Sequence, residues 1–284
     1  MIDLAAAIAV ALDTQVQAMV PLGGGDVADA YRVSLDDGST VFAKTKADSA
    51  PGFFTTEAAG LQWLRDAGAV SVPEVLAVSD DPPFLVQEWI EPGYPSGSTE
   101  MELGVALASL HRTGAPFFGR EDRRSTGSRG LPNEPAESWG EFYAEQRLLR
   151  LARLASDANA LPPGSVADLE SIAARIEDLI GPAEAPARLH GDLWAGNRLV
   201  GRGGVSWLID PAAFGGHREF DLAMMRLFGG FGHDCFAAYD DAFPLAAGWE
   251  QRISLHQLAP LVVHAIKFGG PYVAATQQAL NTLR

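Results

Sequence analysis

The sequence predicts an α+β protein with two lobes, in which a small antiparallel sheet is followed by a larger, mainly helical part. Short apolar runs separated by turn residues fill the positions before residue 90. A segment rich in Pro, Gly and Ser follows at 91–98, and apolar residues then recur mostly at helical spacing. With 284 residues, of which 47% are hydrophobic, the chain can fill two such lobes. We therefore expect lobes at 1–90 and 91–284.

The first lobe carries the signals of two helices and four strands. The apolar opening MIDLAAAIAVAL predicts a helix that packs on the body of the protein. The runs DAYRVSL and STVFAKT flank an Asp-Asp-Gly turn at 36–38, which is typical of a hairpin. Near-helical spacing of apolar residues predicts a helix at 55–67. The runs PEVLAV and PFLVQEWI, each opened by proline, predict two more strands.

The second lobe is predicted to be mostly helical. Thr99 with Glu102 three residues later has the pattern of a capping box, which predicts a helix that Thr99 caps. In the helix expected at 249–268, Pro260 predicts a kink or break. Only the stretch from 189 to 209 returns to strands. The further helices are expected at 137–156, 165–180, 232–241, 249–268 and 272–283.

Charge and cysteine content narrow the possible partners. Thirty-six acidic and 21 basic residues give a formal net charge of −15, which repels polyphosphate backbones and argues against nucleic acid as a partner. That charge would suit a cationic substrate, although acidic surfaces commonly serve solubility alone. Cys235 is the single cysteine, so an intrachain disulfide and a cysteine-based zinc cluster are excluded. No apolar stretch has membrane-spanning length, and we expect a cytoplasmic protein without membrane contacts, most simply a monomer.

A group of polar residues in the second lobe has the pattern of a phosphoryl-transfer site. In RLHGDLWAGNRLV, at 188–200, Asp192 follows His190 and Asn197 comes five residues later. Asp210 ends an apolar run thirteen residues after Asn197. Transfer from ATP requires a carboxylate near the attacking hydroxyl and hard oxygen ligands for Mg²⁺. We interpret Asp192 as the group that orients the hydroxyl, and Asn197 and Asp210 as the metal ligands.

The first lobe supplies candidates for the ATP clamp. Lys44 ends the strand VFAK, where its ammonium could reach the α- and β-phosphates, and Glu57 on the next helix could hold it by an ion pair. The backbone around Glu88 and Ile90, between the lobes, is suitably placed to bond adenine. Glycines that let backbone approach phosphate closely are found in GGGDVADAY, and they are Gly23, Gly24 and Gly25. Acids in the same run are unfavourable beside phosphates unless they point away.

Each of these residues also has a structural explanation. A glycine triplet is commonly a turn, a lysine at a strand end is commonly solvated, and an acid is favoured at a helix N-terminus. Asp and Asn in loops often bond their own backbone. The order of all of them along one chain is what favours phosphoryl transfer.

Three segments resemble the fructosamine kinase (ketosamine-3-kinase) family, related to aminoglycoside phosphotransferases and choline kinases within the protein-kinase-like fold. They are HGDLWAGN, LIDPAAFGGHREFDLAMMRLFGGF and VFAKTKADSAPGFFTTEAAGLQWL, and the likeness extends from about residue 23 to 272. The pattern from HGD to Asp210 fits the whole superfamily, whereas Trp194 and REFDLAMMRLFGGF point to this family.

The resemblance implies ATP- and Mg²⁺-dependent phosphorylation of the 3-hydroxyl of a ketosamine, a sugar joined to an amine as a fructosamine or ribulosamine adduct. The phosphorylated adduct decomposes, so the family serves deglycation repair. By this likeness Asp192 accepts the hydroxyl proton, Asn197 and Asp210 hold the metal, and Lys44 with Glu57 grips the phosphates. Trp194 would present its ring to the sugar or else pack between the lobes. Asp221 would brace the catalytic loop.

Other functions remain open at this point. An aminoglycoside or other small-amine phosphotransferase would use the same catalytic residues. A protein Ser/Thr kinase fits less well, because no APE-like segment follows Asp210. A nucleotide-binding scaffold without turnover would commonly lack at least one of the residues needed for catalysis. All four are present here, namely Lys44, Asp192, Asn197 and Asp210. Whether the amine belongs to a protein, a peptide or a free amino acid is not decided by the sequence.

Overall fold

The chain folds into the α+β arrangement expected from its sequence, and the computed structural model describes residues 4–23, 28–122, 124 and 130–284. Within these residues a five-stranded sheet and two helices precede a mainly helical part. We call the chain up to Glu88 the sheet lobe and the chain from Thr99 onward the helical lobe. No helix within the described ranges is both long and apolar enough to cross a membrane.

The sheet of the sheet lobe is antiparallel throughout, with the order β1-β2-β3-β5-β4 in the described residues. The predicted hairpin forms β2 and β3, and the two later strands form β4 and β5. The strands are β1 (Val16–Leu22), β2 (Asp29–Leu35), β3 (Thr40–Thr45), β4 (Val75–Asp80) and β5 (Pro83–Glu88). Within the sheet, Lys44 on β3 lies opposite Leu85 on β5.

Strand β1 has no counterpart among the predicted strands. It lies at the edge of the sheet, and none of its residues is fully buried. The alternation of apolar and polar residues that identifies a half-buried strand is therefore absent from its sequence. Pro21 within it is tolerated because edge strands have one unpaired side.

Two helices cover the sheet and connect it to the rest of the molecule. Helix α1 (Leu4–Leu12) buries Ile8 against one apolar cluster, which includes Val33, Val41 and Phe84. Helix α2 (Phe53–Asp66) belongs to a second cluster, in which its Leu61 and Leu64 join buried residues of the helical lobe. Because this cluster is shared by both lobes, α2 fixes the sheet lobe to the helical lobe.

The helical lobe contains every predicted helix and one that was not predicted, α7, which begins at Glu219 within the segment REFDLAMMRLFGGF. Two small sheets form in and beside the segment 189–209, which was expected to form strands. Strand β6 (Ala187–Leu189) pairs with β9 (Phe214–Gly216), which lies beyond the predicted end of that segment, and β7 (Arg198–Val200) pairs with β8 (Ser206–Leu208). The helices are α3 (Thr99–Thr113), α4 (Trp139–Phe142), which continues through a π-helical segment into α5 (Leu149–Asp157), α6 (Pro163–Ala174), α7 (Glu219–Phe228), α8 (His233–Ala242), α9 (Trp249–Phe268) and α10 (Pro271–Asn281).

Of the kink or break predicted at Pro260, the break is wrong, because α9 continues through this residue. Proline lacks the N–H that would bond the carbonyl four residues earlier. Here the buried hydroxyl of Tyr143 donates to the carbonyl oxygens of Leu255 (2.7 Å) and His256 (3.2 Å). It also accepts from the N–H of Ala259 at 3.3 Å. One tyrosine hydroxyl thus occupies the gap in the helical hydrogen bonds.

The capping box predicted at Thr99 does not form, because, within the described residues, no side-chain hydrogen bond caps the start of α3. Thr99 is the first residue of the helix, and Ser98 is its cap residue. The Ser98 hydroxyl donates to the Glu102 carboxylate at 2.7 Å. The Thr99 hydroxyl instead donates to the carbonyl of Gly204 at 2.7 Å, which attaches the start of α3 to the β7–β8 hairpin.

Close contact between α3 and α8 depends on Gly104. A Cβ at this position would lie 2.1 Å from the backbone oxygen of Cys235. We expect Gly104→Ala to lower the free energy of unfolding by about 2 kcal/mol, because the two helices must move apart. A matched control is Gly164→Ala in α6, where an added Cβ meets nothing within 4 Å. Denaturant midpoints at constant m-value measure both, and equal midpoints for the two variants would contradict the prediction.

A buried ionic cluster joins the start of α7 to α9. Arg252 donates to both carboxylate oxygens of Glu219, at 2.6 and 2.8 Å, and His256 Nε2 lies 3.3 Å from Glu219. Burial would raise the pKa of Glu219, but the adjacent His256 and the hydrogen bonds from Arg252 outweigh it and hold the pKa at about 2. Burial, and then the charge of His256, lower the pKa of the adjacent His217 to about 4.

This cluster predicts that the fold loses stability in acid. Both pKa values lie below those of the unfolded chain, so the unfolded state binds more protons as the pH falls. The contribution of His217 should disappear between pH 6.5 and 4, and that of Glu219 between pH 4.5 and 2. Each amounts to about 3 kcal/mol. Urea unfolding across this range measures the loss. His217→Asn should flatten the upper part of the profile, whereas His233→Asn, on the exposed start of α8, should not.

Candidate active site

The loop between β6 and β7 carries Asp192 and is held by a buried acid from α7. Asp221 is fully buried, and its carboxylate accepts the N–H of His190 at 2.7 Å and the N–H of Gly191 at 2.9 Å. Its Oδ2 atom also lies 3.3 Å from Nε2 of His111. The geometry agrees with the bracing role that the sequence analysis gave to Asp221.

Two further contacts set the shape of this loop. The ring of His190 lies with Nε2 at 3.0 Å from the carbonyl oxygen of Ile209, at the end of β8. Gly191 has a φ of +80°, and a Cβ there would lie 2.2 Å from the oxygen of Ala212. Only glycine fits this approach of two backbone segments. The loop and the segment after β8 are therefore fixed against each other.

Asp192 and Asn197 are neighbours in space. The amide nitrogen of Asn197 donates to the backbone oxygen of Asp192 at 2.8 Å and to its carboxylate at 3.0 Å. Burial raises the pKa of Asp192 to about 7, against the opposing hydrogen bond from Asn197. With its amide nitrogen turned to Asp192, Asn197 leaves its side-chain oxygen for another partner.

Asp210 follows β8 in an unusual backbone conformation. Its φ is +53°, in the left-handed region that few residues other than glycine adopt. Such strain is commonly retained at functional sites, where the surrounding structure enforces it. The side chain is 46% exposed, so its carboxylate can still bind a ligand.

Lys44 brings the two lobes together at this carboxylate. Its buried ammonium donates to Asp210 Oδ1 at 2.8 Å and forms an ion pair with Glu57 on α2. Burial would lower the pKa of Lys44, but the negative charges of Glu57 and Asp210 raise it. The structure thus joins residues that are 166 positions apart in the chain.

Three of the five remaining candidates for nucleotide contact lie within the described residues. Gly23 follows β1, and a Cβ there would meet nothing within 4 Å. Gly24 and Gly25 lie outside the described residues. Glu88 ends β5, and its N–H donates to the oxygen of Glu74 at 2.9 Å. Ile90 follows in the segment that leads to α3, where it lies near Gly201.

Trp194 is 39% exposed beside Asp192, and its ring lies over the backbone of Gly196. It also contacts Phe228 on α7, with ring centroids 5.9 Å apart. This aromatic neighbour, and the further aromatic residues on α9 and α10, were not predicted from the sequence. The sequence shows only that aromatic residues occur near the ends of α7, α9 and α10. No local spacing in the sequence connects these residues to Trp194.

The site has the oxygen donors that a divalent cation requires. The carboxylate of Asp210 and the free side-chain oxygen of Asn197 are hard ligands of the type that Mg²⁺ prefers. The adjacent ammonium of Lys44 can bind phosphate oxygens, and Asp192 can accept a proton from a hydroxyl. The donor set therefore fits Mg²⁺ together with a nucleotide triphosphate.

Comparison with known proteins agrees with this chemistry. The family model described as "Fructosamine kinase" matches residues 3–284. A probable ketoamine kinase of Enterococcus faecium is 34% identical over 266 residues, which cover 93% of this chain and 94% of that protein.

Solved structures are similar as well. A crystal structure from Thermobifida fusca, assigned as a fructosamine-3-kinase, has a TM-score of 0.90 at 39% identity and covers 99% of this chain and 98% of the other. A choline kinase from Streptococcus pneumoniae, at 16% identity and a TM-score of 0.63, shares the fold over 98% of this chain and 96% of its own.

Proposed function

Because the chain belongs to the fructosamine kinase family and is therefore a kinase of ketoamines, we propose that it transfers the γ-phosphoryl group of ATP to the 3-hydroxyl of the ketose, with Asp192 as base. The family match favours this substrate over an aminoglycoside or another small amine. The amine of the adduct is carried by a small molecule or a protein.

In this mechanism Asp192 orients the 3-hydroxyl and accepts its proton as the new O–P bond forms. The bond between the γ-phosphorus and the bridging oxygen of ADP breaks, and ADP leaves. Such a transfer depends mainly on positioning and on charge stabilisation. The raised pKa of Asp192, about 7, makes it a stronger base than an ordinary carboxylate. Asp221 keeps the loop in position for this step.

Asn197 and Asp210 would hold Mg²⁺, and Lys44 would bind the α- and β-phosphates. When bound, the metal supplies positive charge that neutralises the phosphate oxygens. Glu57 positions Lys44 through its ion pair. The backbone of Gly23, Gly24 and Gly25 would cover the phosphates. Adenine would contact the carbonyl of Glu88, whose N–H is already bonded, and the backbone of Ile90.

One observation carries the proposal, namely that Lys44 from the sheet lobe meets Asp210 at 2.8 Å while Asp210 is close to Asn197 and Asp192. The backbone oxygen of Asp210 lies 3.4 Å from the Asn197 amide nitrogen. The groups that we propose to bind phosphate, to bind the metal and to accept the proton are therefore neighbours. Trp194, beside them, would contact the sugar ring. We also propose a cytoplasmic location. The free, buried Cys235 agrees with it, because thiols stay reduced in that compartment.

The function is tested by ATP consumption with Mg²⁺ against four acceptors: fructoselysine, ribuloselysine, an aminoglycoside and choline. We expect turnover with at least one ketoamine and none with choline. Phosphate on the 3-hydroxyl, located by NMR of the product, identifies the position. Turnover of an aminoglycoside without turnover of any ketoamine would reject the proposed substrate.

A further inference from the structure

A row of aromatic rings leads from the catalytic loop across the helical lobe. The ring centroid of Trp194 lies 5.9 Å from that of Phe228, which in turn lies 5.0 Å from that of His264. From His264 the distances are 5.6 Å to Phe268 and 4.9 Å to Tyr272. We call these five residues the aromatic strip. Trp194 is 39% and Phe268 is 51% exposed, so the strip is open to a ligand at both ends.

Lys267 places a positive charge on this strip. Its ammonium lies 4.6 Å from the centroid of Phe268, and the residue is exposed. Across the described part of the chain, no carboxylate lies within ion-pair distance of Lys267. Burial and then the charge of Lys267 lower the pKa of His264, which is therefore neutral at pH 7. Lys267 is thus the cation available to a ligand on the strip.

The aromatic strip connects this charge to the proposed base. Trp194, two positions after Asp192, begins the strip, and Lys267 lies on the ring of Phe268 within it. Lys267 is one of only three lysines in a chain of net charge −15. An exposed ammonium without a carboxylate partner, near the base of an acidic protein, is a site for an anionic group of the substrate.

We propose, on the basis of the function above, that Lys267 binds the carboxylate of a free amino acid whose α-amine carries the ketose. In such an adduct seven bonds join the 3-hydroxyl oxygen to a carboxylate oxygen, a span of about 8 Å when extended. The carboxylate then lies beyond the sugar while the hydroxyl is at Asp192. The side chain of the amino acid would lie on the aromatic strip.

Adducts on lysine side chains satisfy this arrangement less well. Four methylene groups move the carboxylate about 5 Å further from the sugar. A lysine within a protein has no free carboxylate at all. The contact with Lys267 therefore selects α-linked adducts of free amino acids over side-chain and protein-bound adducts.

The test compares the α-linked ketoamine of valine with the same compound as its carboxamide, which has no charge. We expect kcat/KM to be about tenfold higher for the acid, as for a hydrogen bond to a charged group. Lys267→Met should bring the acid-to-amide ratio close to one, and Lys267→Arg should largely keep it. Lys46→Met is the matched control, because Lys46 also lies over a phenylalanine ring, Phe53 at 5.2 Å, but in the sheet lobe. It should leave the ratio unchanged.

The outcomes separate this inference from the function on which it rests. Phosphorylation of neither compound, with no turnover of any other ketoamine, would reject the kinase proposal itself. Equal kcat/KM for acid and amide in the unaltered enzyme would reject only the role of Lys267. A higher KM for ATP in Lys267→Met, equal with both acceptors, would show that Lys267 binds a phosphate of the nucleotide instead and would also overturn the inference.

Discussion

Asp192→Asn is expected to reduce kcat by about 10³-fold while ATP still binds with nearly unchanged affinity. The substitution keeps the shape of the side chain but removes the proton acceptor, and a positioned base contributes about 10²–10⁴-fold. Asn197, which donates to Asp192, can still bond the amide oxygen. Single-turnover kinetics and ATP titration by calorimetry measure the two effects separately.

Asp234→Asn provides the control for this experiment. Asp234 is an acid near the start of α8, with a side chain 78% exposed, and its loss should leave kcat within experimental error. A kcat for Asp192→Asn within tenfold of the unaltered enzyme would show that another group accepts the proton. Loss of ATP binding would instead give Asp192 a role in holding the nucleotide.

Asp221→Asn is expected to lower both stability and turnover. The carboxylate is fully buried and accepts two backbone N–H groups of the catalytic loop, at 2.7 and 2.9 Å. The side-chain amide of Asn would direct its own N–H toward one of these backbone N–H groups. That backbone N–H would then be buried without an acceptor. We expect the free energy of unfolding to fall by about 3 kcal/mol. Misplacement of Asp192 should reduce kcat by about 10²-fold.

The matched control is Asp240→Asn. Asp240 also accepts a backbone N–H, that of Leu245 at 2.7 Å, but at the surface. Its substitution should cost less than about 1 kcal/mol and leave kcat unchanged. If both variants unfold at the same denaturant concentration, the buried hydrogen bonds of Asp221 do not support the loop.

The fold was predictable where local pattern and tertiary environment agree. The hairpin of β2 and β3 has alternating apolar positions and an acidic-glycine turn, and it forms as expected. Strand β1 was missed because it lies at the edge of the sheet and buries none of its residues completely. Of the kink or break predicted at Pro260, the break does not occur, because Tyr143, more than a hundred positions earlier, supplies hydrogen bonds that no local rule anticipates.

The clustering of five candidate site residues was predictable because phosphoryl transfer requires these residue types in a fixed order. Lys44, Glu57, Asp192, Asn197 and Asp210 were each chosen from motifs, and the structure brings them into one cluster. Trp194 was chosen from its motif, but the other four residues of the aromatic strip and Lys267 were not found. Their side chains come from the ends of α7, α9 and α10, which only the packing of these helices brings to the catalytic loop.

The ion pair of Lys44 also has a chemical consequence for the enzyme itself. Ketoamines arise when a reducing sugar reacts with an unprotonated amine, and lysine ammonium groups do not react in this way. Glu57 and Asp210 raise the pKa of Lys44 against the effect of burial, and only 7% of the residue is exposed. The lysine that is proposed to bind ATP is thereby protected from glycation, the damage from which the substrates of this family originate.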